Sequence, residues 1–167
     1  MKKIAILTPL LVALPAFAHG PTFHAELMGL QEVPSIATTG HGTFDGTTAG
    51  DWNSIDWTLT FDGLQAPVTQ AHIHFGQTSV TGPIIIWLCG TPALPGPAGT
   101  QPCPQSGTIS GTITFANVLA SPPTQQLRAG AIGDFIQAMD SGYAYANVHT
   151  AISAGGEIRG QINPPKH

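Results

Sequence analysis

Ile55-Asp56-Trp57-Thr58-Leu59-Thr60-Phe61 alternates large apolar residues with short polar ones, one for one. A strand turns successive side chains to opposite faces. Ile55, Trp57, Leu59 and Phe61 therefore share one face, and Asp56, Thr58 and Thr60 the other. The first face needs a core to cover it; the second suits water. Asp62-Gly63 ends the run with turn chemistry.

The same period returns on both sides of this stretch. Phe23-His24-Ala25-Glu26-Leu27 places Phe23, Ala25 and Leu27 inward. Residues 29–39 contain Pro34 and form an irregular crossover, and residues 40–47 form a short strand. Pro83-Ile84-Ile85-Ile86-Trp87-Leu88-Cys89 is apolar without a break, the pattern of a strand buried on both faces. Over residues 107–115, Ile109, Gly111, Ile113 and Phe115 face one way. Residues 134–140 are the best helix candidate, with Asp134 as its cap and Gly142 just past its end. Residues 143–149 and 156–162 make a hairpin. About eight short strands, one short helix, 20 glycines, 15 prolines and only 8% charged residues argue for an all-β Greek-key sandwich or barrel, not a βαβ fold.

The first residues carry an address. Lys2 and Lys3 precede an apolar run from Ile4 to Leu14, and Ala16-Phe17-Ala18 supplies a cleavage site of the A-x-A kind. Residues 1–18 are expected to be a signal peptide. Residues 19–167 then form one exported domain, periplasmic or extracellular, with no membrane span. Without Lys2 and Lys3, three basic residues (Arg128, Arg159, Lys166) face nine acidic ones. That balance excludes nucleic acid, which needs a basic footprint, and disfavours anionic lipid. In an exported chain the pair Cys89 and Cys103 is expected to form a disulfide, since its spacing matches no zinc motif.

Candidate chemistry centres on Gln70-Ala71-His72-Ile73-His74-Phe75-Gly76. Strand period puts His72 and His74 on one face, with Ala71, Ile73 and Phe75 on the other. In residues 143–149, Ala144, Ala146 and Val148 claim the core, which leaves Tyr143, Tyr145, Asn147 and His149 on the polar face. A register that keeps faces matched sets Asn147 opposite Arg159 and His149 opposite Glu157. His72, His74 and His149 are the expected metal ligands, on an outer face, with Glu157, Arg159 and Asn147 as supporting residues. Imidazole suits copper, with zinc as the alternative. The plainer reading makes the same side chains a hydrogen-bond network, with Glu157 and Arg159 as an ion pair. His19, first in the cleaved chain, and nearby His24 are further possible ligands, although chain termini are usually frayed.

Several of these stretches resemble the CHRD domain family, named for its occurrence in chordin. They are Phe23-His24-Ala25-Glu26-Leu27, Gln31-Glu32-Val33-Pro34, Ala71-His72-Ile73-His74-Phe75-Gly76, Gly82-Pro83, the run from Gly142 to Thr150, and Gly156-Glu157-Ile158-Arg159-Gly160-Gln161. The resemblance spans nearly all of residues 19–167 and implies an extracellular or periplasmic β-rich domain. It implies no particular activity. His72-Ile73-His74-Phe75-Gly76 is also similar to the copper strand of Cu/Zn superoxide dismutases. In that likeness His149 stands for a third copper ligand and Arg159 for an anion-guiding arginine. Residues 77–104, however, contain no histidine and no aspartate with which to build a zinc subsite. Three functions are carried forward. The first is a non-catalytic copper-binding module serving storage or tolerance. The second is a dismutase-like copper enzyme. The third is an adhesive or protein-interaction module with a structural histidine network.

Overall fold

The structure, a computed structural model, describes residues 20–163. The expected signal peptide, His19 and His167 lie outside the described residues. Eight strands follow in chain order: β1 (Thr22–Met28), β2 (His41–Thr48), β3 (Ser54–Asp62), β4 (Val68–Phe75), β5 (Ile84–Cys89), β6 (Gly107–Thr114), β7 (Ala144–Thr150) and β8 (Ile158–Gln161). Among the described residues one α-helix, α1 (Ile132–Asp140), sits between β6 and β7. The strands form one sheet in the order β5-β4-β7-β8-β1-β2-β3-β6, every neighbouring pair antiparallel. It curls into a nearly closed barrel, the expected all-β class. Hairpins join β1-β2-β3, β4-β5 and β7-β8. The other connections cross between the two halves, which gives the Greek-key character. Among the described residues, no helix is long and apolar enough to cross a membrane.

The core follows from the alternation. β3 buries Ile55, Trp57, Leu59 and Phe61 and leaves Asp56 and Thr60 exposed. Trp57 needs lateral room, and register supplies it: Gly46 of β2 lies on one side and Gly111 of β6 on the other. A Cβ at Gly111 would stand 3.1 Å from the indole, tighter than ordinary packing. Phe44 then stacks near Trp57, with ring centroids 6.5 Å apart. Helix α1 buries Ile132, Phe135, Ile136 and Met139, the spacing of a single helical face.

Three local expectations are corrected. The helix begins two residues early, so Asp134 lies in its first turn and Ala131 is the N-cap, without a side-chain bond. The apolar face of the helix requires Ile132, which overrides the capping signal. Gly142 does end it, at φ +77°. Phe115 is exposed, because β6 stops at Thr114 and the chain turns through a short 3-10 helix. In β5, Ile84 and Trp87 are only half-buried.

The barrel remains open between β5 and β6, the two ends of the sheet order. The loop closed by the Cys89–Cys103 disulfide fills that seam. Gly90 bridges to Pro102, and Gln101 Nε2 donates to Ser110 O at 3.1 Å. Cross-linking residues 14 apart removes about 3 kcal/mol of loop-closure freedom from the unfolded chain in the entropy model. A Cys89→Ser/Cys103→Ser double variant is therefore expected to lose about 3 kcal/mol of unfolding free energy in urea while keeping its β-type circular dichroism. A loss below about 1 kcal/mol would show that the loop holds the seam without its cross-link.

Candidate metal centre

β4, β7 and β8 lie side by side, and their polar residues form one layer above the core. His72 pairs in register with Asn147, His74 with Tyr145, Asn147 with Arg159 and Tyr145 with Gln161. The expected β7–β8 register is thus present. The layer is not an open outer face. His72 is 0%, His74 7% and His149 5% exposed, and every residue of β7 is buried. Covering loops account for this. Residues 29–40, 77–83 and 151–156 fold over the layer; the second and third use its side chains to satisfy their own backbone groups, and the first reaches it through the side chains of Gln31 and Thr38.

Those backbone contacts fix the imidazoles. Gly82 O lies 2.9 Å from His74 Nδ1, and Ala154 O lies 2.9 Å from His149 Nδ1. A carbonyl oxygen only accepts, so each Nδ1 carries the proton and donates it. The Nε2 atoms of His74 and His149 are left with lone pairs. His72 Nδ1 donates to His149 Nε2 at 3.1 Å, and His72 Nε2 is buried without a partner. One nitrogen from each ring falls within 4.8 Å of the others, so His72, His74 and His149 can hold a metal ion. Asn147 Oδ1 joins them, 3.1 Å from His74 Nε2 and 3.0 Å from His149 Nε2.

The surroundings keep the rings neutral. Burial, then the neighbouring His149 and His74, pushes the His72 pKa down to about 2. Burial pushes His74 to about 4, against the hydrogen bond to Gly82, and lowers His149 too. Tyr145 stacks on His74 (centroids 4.7 Å apart, planes 3° apart) and lies beneath Arg159, whose Cζ is 3.4 Å from the Tyr145 ring centroid. Arg159 Nη2 donates to Gln77 O at 3.1 Å. Trp87 of β5 packs edge-on against His72, centroids 4.3 Å apart.

The supporting residues divide. Asn147 touches the imidazoles. Glu157 is fully buried but faces elsewhere: it accepts from Thr38 Oγ1 (2.6 Å), Gln65 N–H (2.8 Å) and Thr150 Oγ1 (2.7 Å), and so ties two loops to the end of β7. It forms no ion pair with Arg159 among the described residues, because its oxygens are already taken. His24 stands apart on the exposed face of β1, paired with Asp45 (2.8 Å) and Glu26 (3.2 Å).

Sequence reasoning gave no role to Glu32, Gln161 or Trp87. Glu32 is 6% exposed, faces the side chain of Asn147 and feels the charge of Arg159; burial lifts its carboxyl to about 7. Gln161 shares its amide hydrogens among the carbonyls of Gly76, Gly142 and Ala144. The signal for Glu32 was a lone carboxylate in an otherwise uncharged crossover.

The CHRD domain family model matches residues 23–162, from the first inward side chain of β1 to Ile162 just past β8. No curated protein and no solved structure matches the chain. The likeness to the dismutase copper strand therefore rests on sequence alone.

Stability should follow the histidines. In the unfolded chain they take up protons below about pH 6.5. In the folded chain His72 and His74 stay neutral well below that, and burial lowers His149 as well. The stability they contribute is present above pH 6.5 and is lost as pH falls, by up to about 1.4 kcal/mol per unit for each ring. Glu32 opposes one of them, since its raised pKa favours folding as pH falls from 7. The chelator-treated protein is expected to lose Tm steadily between pH 6.5 and 5. A flat or rising Tm over that range would contradict three neutral buried imidazoles.

Proposed function

We propose that this chain, which belongs to the CHRD domain family, is an exported module that holds a single transition-metal ion on His72, His74 and His149, copper in preference to zinc. The observation that carries the reading is the pinning of two imidazoles. With Nδ1 of His74 and His149 bound to backbone carbonyls, their Nε2 lone pairs converge with Asn147 Oδ1. Holding the far nitrogen on a backbone carbonyl is a common way to orient a metal-ligating histidine. Neutral imidazoles bind divalent copper more tightly than zinc, in the order general for first-row ions.

Export is supported by residues 1–18, with their basic start, apolar core and A-x-A site. It is supported too by the Cys89–Cys103 disulfide, which suits an oxidising compartment. Burial favours holding over turnover. A catalytic metal keeps an open position for substrate, whereas His72, His74 and His149 lie under three loops and Trp87. Storage or tolerance fits such a closed site. Superoxide chemistry is the second reading, motivated by the His72-Ile73-His74 strand. Against it, Arg159 is 2% exposed and engaged with Tyr145 and Gln77, a poor position for guiding an anion.

Calorimetric titration of the chelator-treated protein with Cu(II) tests the proposal. One equivalent is expected to bind, and a His72→Ala/His149→Ala variant with retained circular dichroism is expected to bind at least ~100-fold more weakly. Equal, weak binding by both would leave the histidines as a structural network. Superoxide turnover by the loaded protein above that of free copper would move the reading to an enzyme.

A further inference from the structure

We infer that the side-chain oxygen of Asn147 is the fourth donor of this site, and that Glu32 holds the Asn147 amide in the orientation that presents it. The inference rests on the metal-binding reading above and deepens it.

The local chemistry lacks a proton where one is needed. His74 and His149 donate Nδ1–H to Gly82 O and Ala154 O, so their Nε2 atoms can only accept. Asn147 Oδ1 also only accepts, yet it sits 3.1 Å and 3.0 Å from those two nitrogens. Lone pair faces lone pair in each of these two contacts, which repel unless a positive centre lies between them; the one proton nearby, on His72 Nδ1, is directed to His149 Nε2. Donor atoms about 2.0–2.1 Å from a shared ion stand about 2.8 Å apart at right angles and about 3.3 Å apart in a tetrahedron. The contacts at 3.0 and 3.1 Å fall between those limits. These two spacings are those of neighbouring donors on one ion, and the ligand nitrogens of the three imidazoles lie within 4.8 Å of one another.

The opposite orientation of the amide would place its NH2 between the two imidazoles and make a plain hydrogen-bond network. Glu32 decides between the two. Its buried carboxyl group faces the side chain of Asn147, and its Oε1 has no hydrogen-bond partner among the described residues, which leaves it free to take the amide nitrogen. Gly156, at φ +123°, keeps that meeting open: a Cβ there would fall on Glu32 Oε1 and 2.8 Å from Asn147 Nδ2. A carboxylate accepts from the amide nitrogen, so the nitrogen turns to Glu32 and the oxygen turns to the imidazoles. Arg159 lies close enough to offset the charge of Glu32. The resulting set of three imidazoles and one amide oxygen suits Cu(II) or Zn(II) better than Cu(I), which favours sulfur donors.

Asn147→Asp keeps the shape and makes the donor anionic. It is expected to raise Zn(II) affinity at pH 8 at least ~10-fold and to shift the Cu(II) electron paramagnetic resonance spectrum. Glu32→Gln is expected to weaken Zn(II) binding about 10-fold in the natural chain. In an Asn147→Asp background the same change should cost nothing, because the two oxygens of Asp are equivalent and need no orienting. A purely structural role for Glu32 would weaken binding in both backgrounds, and that outcome overturns its positioning role. Unchanged or weaker binding by a folded Asn147→Asp variant, with the natural chain still binding metal, overturns Asn147 as a donor and leaves the three-histidine site standing. If the natural chain binds neither ion, both readings fall together.

Discussion

Two hydrogen bonds set the chemistry of the polar layer: His74 Nδ1–H to Gly82 O and His149 Nδ1–H to Ala154 O. Each serves two needs at once. It satisfies a loop carbonyl that would otherwise be buried unpaired, and it decides which imidazole nitrogen carries the proton. The loops could not close over β4 and β7 without these acceptors being met. The Nε2 lone pairs could not converge without the Nδ1 protons being held away. Fold closure and ligand geometry are therefore the same interaction seen from two sides.

β7 is the element that makes this possible. Its small inward residues, Ala144, Ala146 and Val148, let it sit against the core, while Tyr145, Asn147 and His149 carry the layer above. Both faces are buried, which is unusual for an antiparallel strand with one polar face. The polar side is tolerated because nearly every group on it is engaged. Tyr145 lies between His74 and Arg159, Glu157 accepts three hydrogen bonds, and Gln161 satisfies three carbonyls. The exceptions, His72 Nε2 and Glu32 Oε1, flank the cluster itself. Of the three buried side-chain polar atoms left without a partner among the described residues, these two lie at the cluster and the third, Thr48 Oγ1, lies at the end of β2; a ligand at the cluster accounts for His72 Nε2.

Strand period made much of this legible. Alternation in β1 and β3 placed Phe23, Leu27, Trp57 and Phe61 correctly, and face matching gave the Asn147–Arg159 register. His72, His74 and His149 were brought together by the same logic. Burial of their face was not legible, because the loops above it have no periodicity to read. Glu157 illustrates the consequence. Its place opposite His149 followed from the register, but its partners Thr38 and Gln65 come from segments whose path the sequence does not encode locally. Glu32 escaped notice for the same reason. Phe115 and Asp134 show a smaller failure, in which a plausible local pattern is overruled by where the strand stops or which helix face must be covered.

The central claim is that three imidazoles of this layer share one metal ion. X-ray absorption at the copper edge of the loaded, folded protein addresses it directly. A single site is predicted, with the outer-shell scattering of three imidazole rings and only nitrogen or oxygen neighbours in the first shell. An all-oxygen shell or one rich in sulfur, or fewer than three imidazoles per copper, would contradict it.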